Sequence, residues 1–285
     1  MELIKKQIHM NQWKGNVTTQ ITLDDDFIVP DTLDDMEQVM LDTGEIQIET
    51  VKNQGDKVAV KGKLEFQVLY RKESGGLQTL GGNIPFEEVV NVQGLEEKDY
   101  VGLNWMLEDL NTDMINSRKL GVQAIITLQV RVETLRDVEA AVDVDMENNS
   151  RPAGAGMSDT DGAGQVQVET LKRTANAAAI AVRRKDTYRI KEELSLTGGK
   201  PNIGQLLWRE MKLRDVTAKP LDGRLHLDGE LSVFVIYGAE DENMPVQWLE
   251  ETIPFSGDME MGDVKEDQIP MVTVRLAHKG HGSQA

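Results

Sequence analysis

The chain has 285 residues and no cysteine, with 31 Lys plus Arg against 49 Asp plus Glu, a formal charge of −18. That charge repels nucleic acid and anionic lipid surfaces, and the lack of cysteine rules out disulfide and structural thiol chemistry. No apolar run is long enough to cross a bilayer as a helix, and the opening MELIKKQIHMNQWKGN has no continuous apolar stretch. The expectation is a soluble protein of a reducing compartment, without signal peptide or membrane insertion.

The chain repeats itself. Glu2 to Tyr70 lies on Glu169 to Tyr237 in one ungapped register, 167 residues apart. ELIKK at Glu2 to Lys6 falls on ETLKR at Glu169 to Arg173, and DMEQVML at Asp35 to Leu41 falls on NIGQLLW at Asn202 to Trp208. The clearest stretch is VAVKGKLEFQVLY, Val58 to Tyr70, against LHLDGELSVFVIY, Leu225 to Tyr237, where Gly62 meets Gly229 and Tyr70 meets Tyr237. After a loop two residues longer in the second copy, Ile84, Pro85 and Phe86 recur as Ile253, Pro254 and Phe255. A period this long is not that of a solenoid. It marks two whole domains of common origin: 1–147, a Gly/Ala/Ser/Asp linker at 148–168, and 169–285.

In chain order, the first signal is a helical turn or two around Leu33 to Leu41, followed by a short strand at Glu45 to Val51. Gln54-Gly55-Asp56 reads as a tight turn into a half-buried strand, where Val58, Val60, Leu64, Phe66, Val68 and Tyr70 alternate with charged and amide residues. Glycine at position 62 suggests a bulge or a close backbone approach. Further strands are predicted at Val89 to Val92, at Leu103 to Leu107, and in the long alternation Val122 to Val132 that ends the first copy. NNSRPAGAGMSDTDGAG, Asn148 to Gly164, has little that could pack and reads as a flexible linker.

The second copy repeats the helical signal at Ile203 to Glu210, the turn at Leu221-Asp222-Gly223 and the strand at Leu225 to Tyr237. Shorter strands are predicted at Met259 to Met261 and at Val272 to Leu276, the last matching Leu103, Trp105 and Leu107. Nothing follows that corresponds to Val122 to Val132. The expected fold is mainly β, two tandem homologous β-sandwich-like domains, the second C-terminally incomplete with an exposed edge and lower stability. The expectation for that end is a truncated or frame-shifted reading rather than a natural short domain.

Charge is unevenly spread. Asp24 to Glu49 holds ten acidic residues and no Lys or Arg, whereas Lys172 to Lys191 holds seven basic residues and one acid. Two solvated faces are the plain reading. The sharper one has the two runs meeting, within a chain or between chains, and leads to salt-sensitive self-association.

The residues yield no catalytic, cofactor or metal assignment. Of the four histidines, His226 sits on the outward face of its strand with Ala59 as its counterpart, and His278 and His281 are tail residues. Asp159, Asp161 and Gly162 lack the acidic first ligand and terminal Glu of a calcium loop. The glycines at 154, 156, 162, 164, 198 and 199 fit neither a P-loop nor a dinucleotide turn. The pairs Asp34-Asp35, Glu87-Glu88 and Glu250-Glu251 could serve glycoside hydrolysis only in an aromatic-lined cleft, and just 5% of the chain is aromatic. Trp105, Trp208 and Trp248 read as core or edge anchors. Trp13 and Trp248 are the candidates for a glycan platform, the alternative reading being a peptidoglycan-binding module.

MELIKKQIHMNQWKGNVTTQITLDDDFIVPD in the first copy and RRKDTYRIKEELSLTGGKPNIGQLLWREMKLRDVTAKPLDGRLHLDGELSVFVIYG in the second, followed by WLEETIPFSG, resemble the SPOCS domain. That domain occurs in tandem in clostridial spore-coat morphogenetic proteins of the SipL type. The specific elements are Lys185-Asp186-Thr187-Tyr188-Arg189, Lys200-Pro201-Asn202-Ile203-Gly204, Pro220-Leu221-Asp222-Gly223, MINSRKL at Met114 to Leu120 and the paired IPF tripeptides. The resemblance implies a non-enzymatic scaffold for spore coat assembly, made in the mother-cell cytoplasm and recruited to the forespore surface. Its implied partners are coat morphogenetic proteins, including a coat-base ATPase. Such proteins usually continue into a C-terminal LysM module, which this sequence does not show.

Overall fold

A computed structural model describes residues 2–145, 180–196, 198–240 and 245–277. The expected linker at 148–168, and His278 and His281, lie outside the described residues. Among those described there are nine strands and no helix: β1 (Glu2–Ile28), β2 (Met36–Asn53), β3 (Lys57–Lys72), β4 (Leu77–Asn91), β5 (Tyr100–Asn116), β6 (Lys119–Asp145), β7 (Ile203–Leu221), β8 (Arg224–Ala239) and β9 (Val246–Glu260). They form three antiparallel sheets, ordered β1-β6-β5, β2-β3-β4 and β7-β8-β9. The chain is all-β, with two tandem domains.

In the first copy the two sheets pack face to face. The alternation seen in the sequence is the reason: Val58, Val60, Leu64, Val68 and Tyr70 of β3 are fully buried, as are Leu120, Val122, Ile126, Leu128, Val130 and Val132 of β6. Each such side chain contributes about 1.5–3 kcal/mol on leaving water. The two central strands therefore face one another, and β1, β2, β4 and β5 flank them. Phe27 and Phe66 close the gap beside β4 edge to face, their rings 4.5 Å apart.

The second copy repeats half of this. Strands β7, β8 and β9 are β2, β3 and β4 displaced by 167 to 169 residues. Details recur with the strands. The Tyr70 hydroxyl donates to Asp34 O at 3.0 Å, and its twin Tyr237 donates to Pro201 O at 3.2 Å, a shift of 167 in both partners. Gly62 stands opposite Phe86 and Gly229 opposite Phe255, and a Cβ on either glycine would meet the facing ring within 2.7 Å. The paired IPF tripeptides are thereby explained: the Ile turns inward, the Pro sits on an edge strand where its missing N–H costs no ladder bond, and the Phe covers the glycine. The bulge suspected at Gly62 lies in the neighbouring strand instead, between Ile48 and Thr50, and recurs between Arg214 and Thr217.

The helical turns expected at Leu33 to Leu41 and Ile203 to Glu210 are wrong, because both segments belong largely to β2 and β7. Register shifts between Met36 and Gln38 and between Val39 and Leu41 stretch the apolar spacing from two residues to three, which imitates a helix. The same pair recurs at Ile203/Gln205 and Leu206/Trp208. The strand expected at Val272 to Leu276 is also not formed, although that segment alternates cleanly. Its counterpart in the first copy, β5, pairs only with β6, and the described residues of the second copy hold no equivalent of β6.

The copies touch through their outer faces. Leu69 of β3 packs with Leu207 and Trp208 of β7, joined by Leu77, Phe234 and Ile236, and Thr79 Oγ1 donates to Leu207 O.

Candidate functional site

Polar chemistry is dispersed. His9 pairs with Asp137, and His226 with Asp258 at 2.5 Å and Asp228 at 3.2 Å. The Asp258 hydrogen bond, with Asp228 close by, raises the His226 imidazole above its usual range. Asp34 and Asp35 turn to different cations, Lys72 and Arg118, and Lys72 holds the Asp34 carboxyl low. Glu87 pairs with Lys61, and Glu88 accepts from Thr19. No cluster of three or more His, Asp or Glu among the described residues could hold a metal ion. Among the described residues, members of the acidic run Asp24 to Glu49 pair with the local cations Lys119, Arg118, Lys72 and Arg71.

Trp208 is buried in the contact between copies. Trp13 and Trp248 are each more than half exposed, at 53% and 55%. A cation sits over each ring, Arg131 at 4.8 Å from Trp13 and Lys200 at 4.8 Å from Trp248. Those faces are partly taken, so neither ring is a bare sugar platform.

The most distinctive surface is one that the sequence reading missed. Strand β5 stops pairing with β6 at Tyr100↔Glu133, but β1 and β6 continue together for a further dozen residues to Glu2↔Asp145. A two-stranded arm of roughly 35 Å thus runs past the sandwich. Its root is anchored by a bulge between Trp13 and Gly15 that swings Lys14 out of the ladder. The Lys14 ammonium then reaches Asp99 at 2.7 Å, Glu96 at 3.0 Å and Gly94 O at 3.2 Å. Hydrogen bonding to Asp99 and then Glu96 raises the Lys14 pKa. Burial pushes the Asp99 carboxyl up, but Lys14, the Glu96 N–H and Thr134 together outweigh it and leave the group below its usual value. Beside them Glu133, nearly buried, accepts from Asn11 and from the Arg183 guanidinium.

The arm exposes apolar side chains on both faces. One side carries the ion pairs Lys5–Glu139 and His9–Asp137 together with exposed Leu3 and Leu135. The register puts Ile4, Ile8, Met10 and Val138 on the other, interspersed with Lys6 and Arg136, and Ile4, Met10 and Val138 are exposed. Two strands alone are marginal in water and gain from a partner on either face. The spacing of Ile4, Ile8 and Met10 is too sparse for a strand signal, which is why β1 went unrecognised.

The SipL, SPOCS domain family model matches residues 35–115 and 202–280, one match in each copy. No curated protein and no solved structure matches the chain. Among the described residues no helix is long and apolar enough to cross a membrane.

Proposed function

The chain belongs to the SipL, SPOCS domain family, and from that premise we propose that it is a non-enzymatic scaffold of spore coat assembly. Membership carries a sporulation context connected with the coat. The finer reading is that the chain binds other coat morphogenetic proteins, a coat-base ATPase among them, or copies of itself, in the mother-cell cytoplasm at the forespore surface. The observation that supports it is the β1–β6 arm, with Ile4, Met10 and Val138 exposed on one face of a ribbon that two strands alone hold weakly.

The test is fluorescence of the tagged chain in a sporulating host, beside a variant carrying Ile4→Lys, Met10→Lys and Val138→Lys. A ring around the forespore that is lost in the variant, with the circular dichroism of the purified protein unchanged, supports recruitment through the arm. Diffuse signal from the parent chain counts against the scaffold, and a ring indifferent to the substitutions counts against the arm. A peptidoglycan-binding module is the second reading, favoured by the exposure of Trp13 and Trp248. Pull-down on peptidoglycan with Trp13→Ala and Trp248→Ala separates the two.

A further inference from the structure

The open edges of the three sheets are unequally defended. An edge strand invites pairing with another chain unless something blunts it. Pro85 interrupts β4, Pro220 interrupts β7 and Pro254 interrupts β9. Strand β2 has three register shifts, and β1 has two, with Lys5, Lys6 and Lys14 along it. The uncharged stretch of β1 from Asn16 to Leu23 turns Thr18, Gln20 and Thr22 outward. Strand β5 from Tyr100 to Leu107, YVGLNWML, holds no charge, no proline and no register shift. Val101, Leu103, Trp105 and Leu107 pack inward against the core, while Tyr100 and Met106 stand outward, 48% and 56% exposed. Among the described residues β6 is its one strand partner.

That stretch is where the second copy reaches across. Arg183 and Arg275 belong to residues 180–196 and 269–277, which lie outside the strands. The Arg183 guanidinium lies 3.9 Å over the Tyr100 ring and pairs with Glu133, the residue opposite Tyr100 on β6. The Arg275 guanidinium lies 3.9 Å over the Trp105 ring and donates to Trp105 O at 3.5 Å and to Asn104 Oδ1 at 3.4 Å. Two cations thus stand on a run that has none of its own. The apolar contact between the copies is small, with Leu69, Leu207 and Trp208 as its buried residues, and contacts of that kind between domains open and close.

We propose that β5 is an association edge at which two chains pair, and that the second copy within each chain is its removable guard. With the guard in place, the edge meets Arg183 and Arg275 instead of another strand. With the guard displaced, Tyr100 to Leu107 pairs antiparallel with the same stretch of another chain, so that β1-β6-β5 continues into one sheet through both. The residues of the edge select that occupant. An uncharged strand has nothing with which to recognise an acidic or a basic segment, whereas it meets itself across a twofold axis with no like charges opposed. A register centred on Leu103 keeps inward side chains with inward ones and sets Tyr100 beside Met106 of the partner subunit. The inference is independent of the coat reading, since the pairing is measured on the purified chain whether or not that chain forms a forespore ring.

The test is sedimentation velocity over a concentration series, on the parent chain and on a double variant carrying Arg183→Gln and Arg275→Gln. With its circular dichroism unchanged, the double variant should dimerise about tenfold more tightly than the parent. Each single change should give a smaller rise in the same direction, and the single variants carry the comparison if the double variant does not fold. Hydrogen exchange should slow in residues 100–107 as the dimer forms. Adding Asn104→Lys and Met106→Lys, both at exposed positions, should return the double variant to the behaviour of the parent. A double variant that associates no more tightly than the parent overturns the proposal, and so does association that survives the two lysines. Protection confined to residues 2–13 and 134–145 assigns the contact to the arm and overturns it likewise.

Discussion

The duplicated glycine offers a matched experiment, because Gly62 and Gly229 meet different neighbours. A Cβ at Gly62 would stand 2.7 Å from both Gln47 O and Phe86 Cζ, one of them backbone. At Gly229 the near atoms are all side chain: Phe255 Cζ at 2.6 Å, Phe255 Cε1 at 3.1 Å and Val216 Cγ2 at 3.2 Å. Relaxed carbon contacts lie near 3.5–4.0 Å, so Gly→Ala forces a displacement of most of an ångström at either site. Phe86 is buried between two sheets, whereas Phe255 is only partly covered and can turn away. Overpacking costs about 1–3 kcal/mol and the alanine recovers about 0.5 kcal/mol of backbone entropy. Gly62→Ala should therefore lose about 2 kcal/mol and Gly229→Ala about 1 kcal/mol or less. Replacing the ring by leucine separates the causes: Gly229→Ala in a Phe255→Leu background should cost almost nothing, while Gly62→Ala in a Phe86→Leu background should keep about 1 kcal/mol of its penalty from Gln47 O. The assay is urea unfolding followed by circular dichroism, with native-state hydrogen exchange assigning each loss to β3 or β8, since the copies need not unfold together. Equal rescue at the two sites would refute the claim that backbone contact governs Gly62.

Four further outcomes are expected. Tyr70→Phe, which removes the hydroxyl placed between Asp34 O and Gln78 Oε1, should cost about 1–2 kcal/mol, and Tyr237→Phe, whose hydroxyl makes a longer bond to Pro201 O, about 0.5–1 kcal/mol, both read from urea midpoints. Arg118 spans Val29 O, Leu33 O, Asp31 and Asp35 at 2.8–3.0 Å, a set that one ammonium cannot reach, so Arg118→Lys should lose about 2 kcal/mol by the same measurement. Asp99 has a folded pKa below 3.8, so its contribution is present above that value and disappears as pH falls through the folded value. Urea midpoints taken in acid should show a shallower decline for Asp99→Asn than for the parent. His226 has a folded pKa above 6.5, so its pairing stabilises fully below 6.5 and fades as pH rises through the folded value. An NMR titration should show that pKa fall in Asp258→Asn.

The two tandem copies, the hairpin turns at Gly55 and Gly223 and the half-buried strands β3 and β8 were legible from the residues, because each is written in contacts or spacings a few residues long. The repeated Gly, Tyr and IPF positions were legible as a register, though the reason for them, a ring packed on a glycine and a hydroxyl on a carbonyl, was not. The bulged starts of β2 and β7 misled because a register shift alters the apolar period that distinguishes strand from helix. The arm escaped for a similar cause, since its apolar residues are too widely spaced to alternate. What only the tertiary structure decided is sheet order. That β6, the last strand of the first copy, lies between β1 and β5 depends on its long-range pairing with β1, from Ile28↔Lys119 to Glu2↔Asp145, which no local pattern encodes. The same order explains why residues 180–196 and 269–277 keep the sequence of strands without forming them: a strand is completed by its neighbour's hydrogen bonds, and in the described second copy that neighbour is not there.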